Sequence, residues 1–158
     1  MKPTILALDL EGTLLSNAVS QIPRPDLLGF LEQVGAAFER VVAFTTVKEP
    51  LFRQIAQRLV DEGVAPPWFA RIDYVPWSGP YKDLAFVSST LGQVLIVDDH
   101  VDYIVPDQRQ WWIAIPQFEY PYGSSDDGLS LALRKIRSFL DDFSIADDLE
   151  VITATVGG

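Results

Sequence analysis

The stretch Ile5-Leu6-Ala7-Leu8-Asp9-Leu10-Glu11-Gly12-Thr13 decides how the rest of the chain is read. A short apolar run bounded by turn formers describes a strand buried on both faces, the habit of a central strand in a parallel sheet. The run ends at an acid, Asp9, and Gly12 lets the backbone turn tightly just after it. Thr13 is placed to hydrogen-bond that turn and keep the Asp9 carboxylate in one orientation. An acid at a strand end also has a plain structural use as the cap of a turn. The motif alone does not choose between that use and chemistry.

Outward from this strand, the chain alternates helical and strand-like patterns. Leu27, Phe30, Leu31, Val34 and Phe38 recur at helical spacing behind Asp26, an N-cap or first-turn acid, and the pattern ends near Glu39-Arg40. Val41-Val42-Ala43-Phe44 reads as a second buried strand, closed by Thr45-Thr46. A helix follows with Phe52, Ile55, Ala56, Leu59 and Val60 on one side and Gly63 as its stop. Residues 64–81 are dense in Pro, Gly and aromatics, and Ile72-Asp73-Tyr74-Val75 is their one strand-like piece. Gln93-Val94-Leu95-Ile96-Val97 is the clearest strand, with Asp98-Asp99 at its carboxyl end, and Trp111–Ile115 is another. Leu129, Leu133, Ile136, Leu140 and Phe143 mark a long amphipathic helix. The expectation is one α/β domain over residues 1–145, a parallel sheet covered on both faces, followed by an acidic tail over 146–158. Ligands of such sheets bind beyond the carboxyl ends of the strands. Asp9, Thr45 and Asp98-Asp99 would be delivered there by three different strands.

Composition narrows the chemistry. The chain has 158 residues, 48% of them hydrophobic, and its 12 basic and 22 acidic residues leave a net charge of −10. That field repels polyanions, so no nucleic acid and no membrane is expected among the partners, and a phosphate has to be caught locally. With no cysteine, thiol nucleophiles and thiolate metal sites are excluded, and oxygen ligands suited to hard cations remain. Met1-Lys2-Pro3-Thr4 leads straight into the first strand without a signal-peptide pattern, and no run approaches the ~20 apolar residues of a membrane span. A cytoplasmic protein is expected, and no feature speaks to its oligomeric state.

Phosphoryl transfer needs an in-line nucleophile, a cation and donors for the equatorial oxygens, and an acid for the leaving group. Asp9 can attack directly, because a carboxylate is ionised at neutral pH and the acyl phosphate it forms is reactive enough to hydrolyse. Glu11 is the candidate acid and, afterwards, base. Thr45 and Thr46 offer hydroxyls, but Thr46-Val47-Lys48-Glu49 has capping-box spacing, which assigns Thr46 to a helix N-cap and leaves Thr45 as the better donor. Lys82 is a compact cation for the nucleophile and phosphoryl group, although a lone lysine is as a rule a solvated surface residue. Adjacent carboxylates such as Asp98-Asp99 are costly without a compensating cation, and Mg²⁺, held also by Asp9 and the Glu11 main-chain carbonyl, would supply one. Asp102 is close enough in sequence to support a water ligand. His100, the one histidine, has no partner for base work and reads as a loop residue.

In order, Asp9-x-Glu11-Gly12-Thr13, Thr45, Lys82 and Asp98-Asp99 resemble the four motifs of the haloacid dehalogenase superfamily of phosphatases. Receiver domains also set acids, a threonine and a lysine around Mg²⁺, but with an acidic pair after the first strand and the lysine last. Within the superfamily, Arg24-Pro25, Phe44-Thr45, Lys82-Asp83-Leu84, Leu91-Gly92 and Val94–Asp99 resemble the landmarks of the NLI-interacting-factor-like phosphatases, the small phosphatases of the RNA polymerase II C-terminal domain. The resemblance covers residues 4 to about 143. It implies a three-layer Rossmann-like fold with a parallel sheet in the order 3-2-1-4-5. No insertion of cap-domain size separates the motifs, so no large cap domain is expected. It further implies a phosphoaspartyl intermediate on Asp9 and catalysis by Asp9, Glu11, Thr45 and Lys82. The phosphate-binding group would be Thr45, Thr46, Lys82 and Leu10, with Asp9, Glu11, Asp98 and Asp99 serving Mg²⁺.

The chain departs from the family pattern at Glu11, where an aspartate is usual, and at Asp99, where the usual pair is Asp-Asn. One extra methylene moves the acid by roughly 1 Å, and such a displacement can cost about 10²-fold in rate. Two readings follow. One is a Mg²⁺-dependent phosphomonoesterase with an open site for a phosphorylated small molecule or a phosphoprotein, one side of it walled by Trp68, Phe69, Tyr74 and Trp77, which are equally suited to the core. The other is a binding module that keeps the fold without efficient acid catalysis. A phosphotransferase with an acceptor other than water is a weaker third.

Overall fold

The computed structural model describes the backbone of residues 1–156 and side chains as far as Phe143. Five parallel strands form one sheet in the order β3-β2-β1-β4-β5: β1 (Ile5–Leu8), β2 (Arg40–Ala43), β3 (Asp73–Tyr74), β4 (Val94–Asp98) and β5 (Trp112–Ala114). Three helices connect or follow them: α1 (Leu27–Ala37), α2 (Glu49–Asp61) and α3 (Gly128–Val156). The expected strand order is the observed one. α3 continues as helical backbone into the segment set apart as an acidic tail, whose side chains, with residues 157–158, lie outside the described residues. Among the described residues no helix is long and apolar enough to cross a membrane.

Strand parity divides the core in two. Leu6 and Leu8 of β1, with Leu95 and Val97 of β4, pack against Phe30, Leu31 and Val34 of α1, Phe52, Ile55 and Leu59 of α2, and Leu129, Ala132 and Ile136 of α3. Ile5 and Ala7, with Val42, Val94 and Ile96, face the other way, onto Val75, Leu84 and Ile104. That second face is covered by short 3₁₀ segments, Leu84–Phe86, Val101–Tyr103 and Pro106–Trp111, in place of long helices. Every residue of β1 and β4 is buried, which accounts for their uninterrupted apolar runs.

Register then fixes the site. Leu8 pairs with Ala43 on one side and Val97 on the other, and the Asp9 N–H donates to the Val97 carbonyl at 3.0 Å. Asp9 is therefore level with Asp98. Because side chains alternate along a strand, Asp9 continues the parity of Ile5 and Ala7, and Asp98 that of Val94 and Ile96. Both carboxylates emerge on the face covered by the 3₁₀ segments, at the carboxyl edge of the sheet. No domain is inserted after β1: residues 9–26 hold only isolated bridges, Glu11 to Leu15 and Leu15 to Pro23.

Candidate active site

After Asp9 the chain wraps around the carbonyl of Leu10, which accepts from the N–H groups of Thr13, Leu14 and Leu15. Gly12 makes the turn with φ +72°, and a Cβ built there would lie 2.5 Å from Asp99 Oδ2, so both conformation and space call for glycine. The Thr13 hydroxyl donates to Asp9 Oδ2 at 2.8 Å and also lies 3.2 Å from Asp99 Oδ1. The buried Lys82 ammonium donates to Asp9 Oδ1 at 2.8 Å and Asp98 Oδ2 at 2.6 Å, and the His100 N–H donates to Asp98 Oδ1. Lys82, a lone lysine in sequence, is one of the most deeply buried side chains in the molecule, at 2% exposure.

One carboxylate oxygen from each of Asp9, Asp98 and Asp99 lies within 4.8 Å of the other two. The electrostatics of the group are those of an acid excess. Burial pushes the Asp98 carboxyl up to about 6, the charge of Asp9 adding to it and Lys82 opposing. Asp99 rises to about 7, through burial first and then its hydrogen bond to Asp9 and the charges of Asp9 and Asp98. Burial acts to lower the Lys82 ammonium, yet attraction to Asp9 and Asp98 outweighs it and holds the group above its ordinary value. Three oxygen acids against one ammonium leave the site short of positive charge, and a hard divalent cation fits that donor set.

The remaining sequence candidates divide. Glu11 lines the same pocket of about 320 Å³ as Asp9, Asp98 and Asp99, but its carboxylate stands apart from their cluster and accepts from the Ala18 N–H at 2.7 Å. Leu10 buries its side chain in the core, so only its main chain can meet a ligand. The buried Thr45 hydroxyl accepts from the Val47 N–H at 3.0 Å. Thr46 is exposed and lines the pocket. The capping-box reading of Thr46 is corrected: α2 begins at Glu49 with Lys48 at its N-cap and no side-chain cap, because Thr45 closes the preceding turn and Pro50 sets the first helical turn. Asp102 is exposed, its carboxylate 3.8 Å from His100 Nδ1, and it stands outside both the acid cluster and the pocket lining. The aromatic group splits. Phe69 belongs to the core and Trp68 packs against it, whereas the Trp77 indole N–H donates to the Thr45 carbonyl and the Tyr74 hydroxyl to that of Val47. The latter pair walls a groove that meets the pocket at Thr46.

Arg24 was visible in the sequence as a landmark without a role. It is 1% exposed, grips Asp126 through Nε and Nη2, and donates to the carbonyls of Gly12, Thr13 and Pro116. It ties the turn after Asp9 to the segment leading into α3, which forms the far wall of the pocket with Gln117, Phe118 and Tyr122. Glycine at position 128 makes room, since a Cβ there would stand 1.9 Å from Arg24 Nη2.

A Rossmann-like sheet in this strand order, with an acid after the first strand meeting a lysine and an acid pair after the fourth, defines the phosphatase fold of the haloacid dehalogenase superfamily. A family model described as NLI interacting factor-like phosphatase matches residues 4–150, and the chain belongs to that family. No curated protein matches the chain.

Proposed function

We propose that the chain hydrolyses phosphomonoesters with Mg²⁺, through a phosphoaspartyl intermediate on Asp9. The observation that supports this most is the buried Lys82 bridging Asp9 and Asp98 at the sheet edge, beside a third acid. A buried ammonium shared by two carboxylates is costly as architecture and well suited to gathering charge around a phosphoryl group. In the first step an Asp9 carboxylate oxygen attacks phosphorus, the ester P–O bond breaks, and the leaving oxygen takes a proton from Glu11. In the second, Glu11 takes a proton from water, the water oxygen attacks phosphorus, and inorganic phosphate leaves with Asp9 restored. Thr13 holds Asp9 in orientation, while Lys82 and the segment at Thr45 and Thr46 receive the phosphoryl oxygens. Asp9, Asp98 and Asp99, with the Glu11 main-chain carbonyl, would hold Mg²⁺, which when bound supplies positive charge against the phosphoryl group. The open pocket suits a phosphorylated small molecule or a phosphoprotein.

The test is turnover of p-nitrophenyl phosphate with Mg²⁺, comparing the wild type with Asp9→Asn. Loss of turnover in the variant is expected; equal turnover in both sinks the nucleophile assignment. One observation favours a second reading, a binding module: the Glu11 carboxylate is already held by the Ala18 N–H. Glu11→Asp shortens the side chain and gives up that bond. A gain in turnover would mark Glu11 as the defect of a decayed enzyme, and a loss would mark it as the working acid.

A further inference from the structure

Lys82 has no regular element of its own. β3 ends at Tyr74, and the next ordered element is the 3₁₀ segment Leu84–Phe86, so the sheet that places Asp9 and Asp98 does not place the ammonium between them. The loop is held instead by the crossover from β4 to β5. The Lys82 N–H donates to the Tyr103 carbonyl at 2.7 Å, and Nζ lies 5.1 Å from the centre of the Tyr103 ring. One residue further, a single buried side chain takes over. Gln108 Oε1 accepts from the Leu84 N–H at 2.9 Å, and its Nε2 donates to Asp83 Oδ1 at 2.8 Å. The same Asp83 oxygen accepts from the Ala85 N–H, which locks the turn that follows Lys82.

Gln108 is 8% exposed, lies outside the pocket lining and has no acid, base or nucleophile chemistry to offer. Both ends of its amide are spent on the two residues that follow Lys82. We infer that Gln108 is a positioning residue for the proposed reaction, setting the Lys82 ammonium between Asp9 and Asp98 by clamping Asp83 and Leu84 to the crossover that leaves the metal-side strand. The choice of glutamine follows from the geometry. Leucine fills similar space but leaves the Leu84 N–H unpaired, whereas glutamate can still accept from Leu84 but turns its second oxygen toward the Asp83 carboxylate.

The inference rests on the phosphatase reading for its catalytic consequence but not for its structural one, and two measurements on the full chain separate them. The first is lysine acetylation followed by mass spectrometry, without ligand. In the wild type Lys82 is protected, while the exposed Lys2 and Lys48 serve as internal references. Gln108→Leu should raise acetylation at Lys82 by about tenfold or more while the references stay unchanged, since an orphaned buried N–H favours opening of the loop. Lys82 remaining protected in a folded Gln108→Leu protein would overturn the inference. The second is a double-mutant cycle on turnover of p-nitrophenyl phosphate with Mg²⁺. Gln108→Leu should cost about 10- to 100-fold in kcat/KM when Lys82 is present, and little more once Lys82→Ala has removed the group being positioned. An equal loss in both backgrounds would make Gln108 a general structural residue and overturn the claim. Gln108→Glu should fall with Gln108→Leu, and Asp83→Asn in the Gln108→Glu protein should recover activity by restoring a donor opposite the acceptor. If the wild type turns over no ester, the proposed function fails, and the acetylation pattern alone decides what holds Lys82.

Discussion

Replacing Arg24 with methionine keeps most of the side-chain volume but removes the guanidinium from a site with almost no access to water. Left behind are the Asp126 carboxylate and the carbonyls of Gly12, Thr13 and Pro116. Gly12 retains a donor, because its carbonyl also accepts from the Phe118 N–H at 2.8 Å. Asp126 is 22% exposed and can recover part of its hydration. Breaking one side of a buried ion pair costs about 3–5 kcal/mol, and these two mitigations point to the lower end, about 3 kcal/mol. At this chain length about 3 kcal/mol lowers the melting temperature by roughly 6–12 °C. Calorimetry or thermal unfolding followed by circular dichroism measures the shift directly. Gly128→Ala should reproduce it, since the added methyl occupies the position of Nη2, and the two changes together should cost less than their sum because they act on one contact. An Arg24→Met protein melting within about 2 °C of the wild type, on the same conversion, would refute the reasoning. So would a Gly128→Ala protein of full stability beside a destabilised Arg24→Met.

Gly12→Ala meets both a φ of +72° and the Asp99 carboxylate, so a stability loss of about 1 kcal/mol or more is expected, together with weaker Mg²⁺-dependent stabilisation as Asp99 is displaced; melting with and without Mg²⁺ reads both. Asp98 and Asp99 carry carboxyls raised from 3.8 to about 6 and about 7, so the folded state holds their protons more tightly than the unfolded chain does. Their contribution to metal-free stability is therefore full below about pH 4 and is lost as pH rises through 6 and 7. On the proposed reading Mg²⁺ would bind the ionised acids, so its stabilising effect should grow over the same interval, and a pH series of melting curves in chelator and in excess Mg²⁺ should diverge upward. A constant difference between the two series would count against Asp98 and Asp99 as ligands.

The parts of the fold that were legible in the sequence were those whose burial is complete. β1 and β4 are apolar at every position before their terminal acids because both faces are covered, and parity with register then carries Asp9 and Asp98 to one place. Thr13 was readable for a similar reason, since its contact with Asp9 is local. What escaped depends on tertiary partners. β3 is limited to Asp73–Tyr74, because after the Val75 N–H has donated to the Ala43 carbonyl the chain reaches Pro76, which has no N–H to continue the ladder. Asp26 does sit at the N-cap of α1, but with φ +68° and no side-chain bond to the helix, so its residue type said little about its geometry. Gln108 looks like an ordinary polar residue in the sequence, and Arg24 stands out as a landmark whose role is not legible there. The counter-charge of Arg24 is 102 residues away and the partners of Gln108 are 24 to 25 away, and no local pattern encodes such separations.

The clasp between Arg24 and Asp126 also orders events in time. Asp9 directly follows β1, yet the turn after it is fixed by a guanidinium whose counter-charge arrives 102 residues beyond Arg24. β1 itself lies between β2 and β4, so it cannot gain both neighbours until Val94–Asp98 has been made. A growing chain would therefore carry Asp9 well before the turn that follows it could be fastened, which waits for the start of α3. The surroundings of Asp9 would thus be completed in two late steps, β4 and then the start of α3.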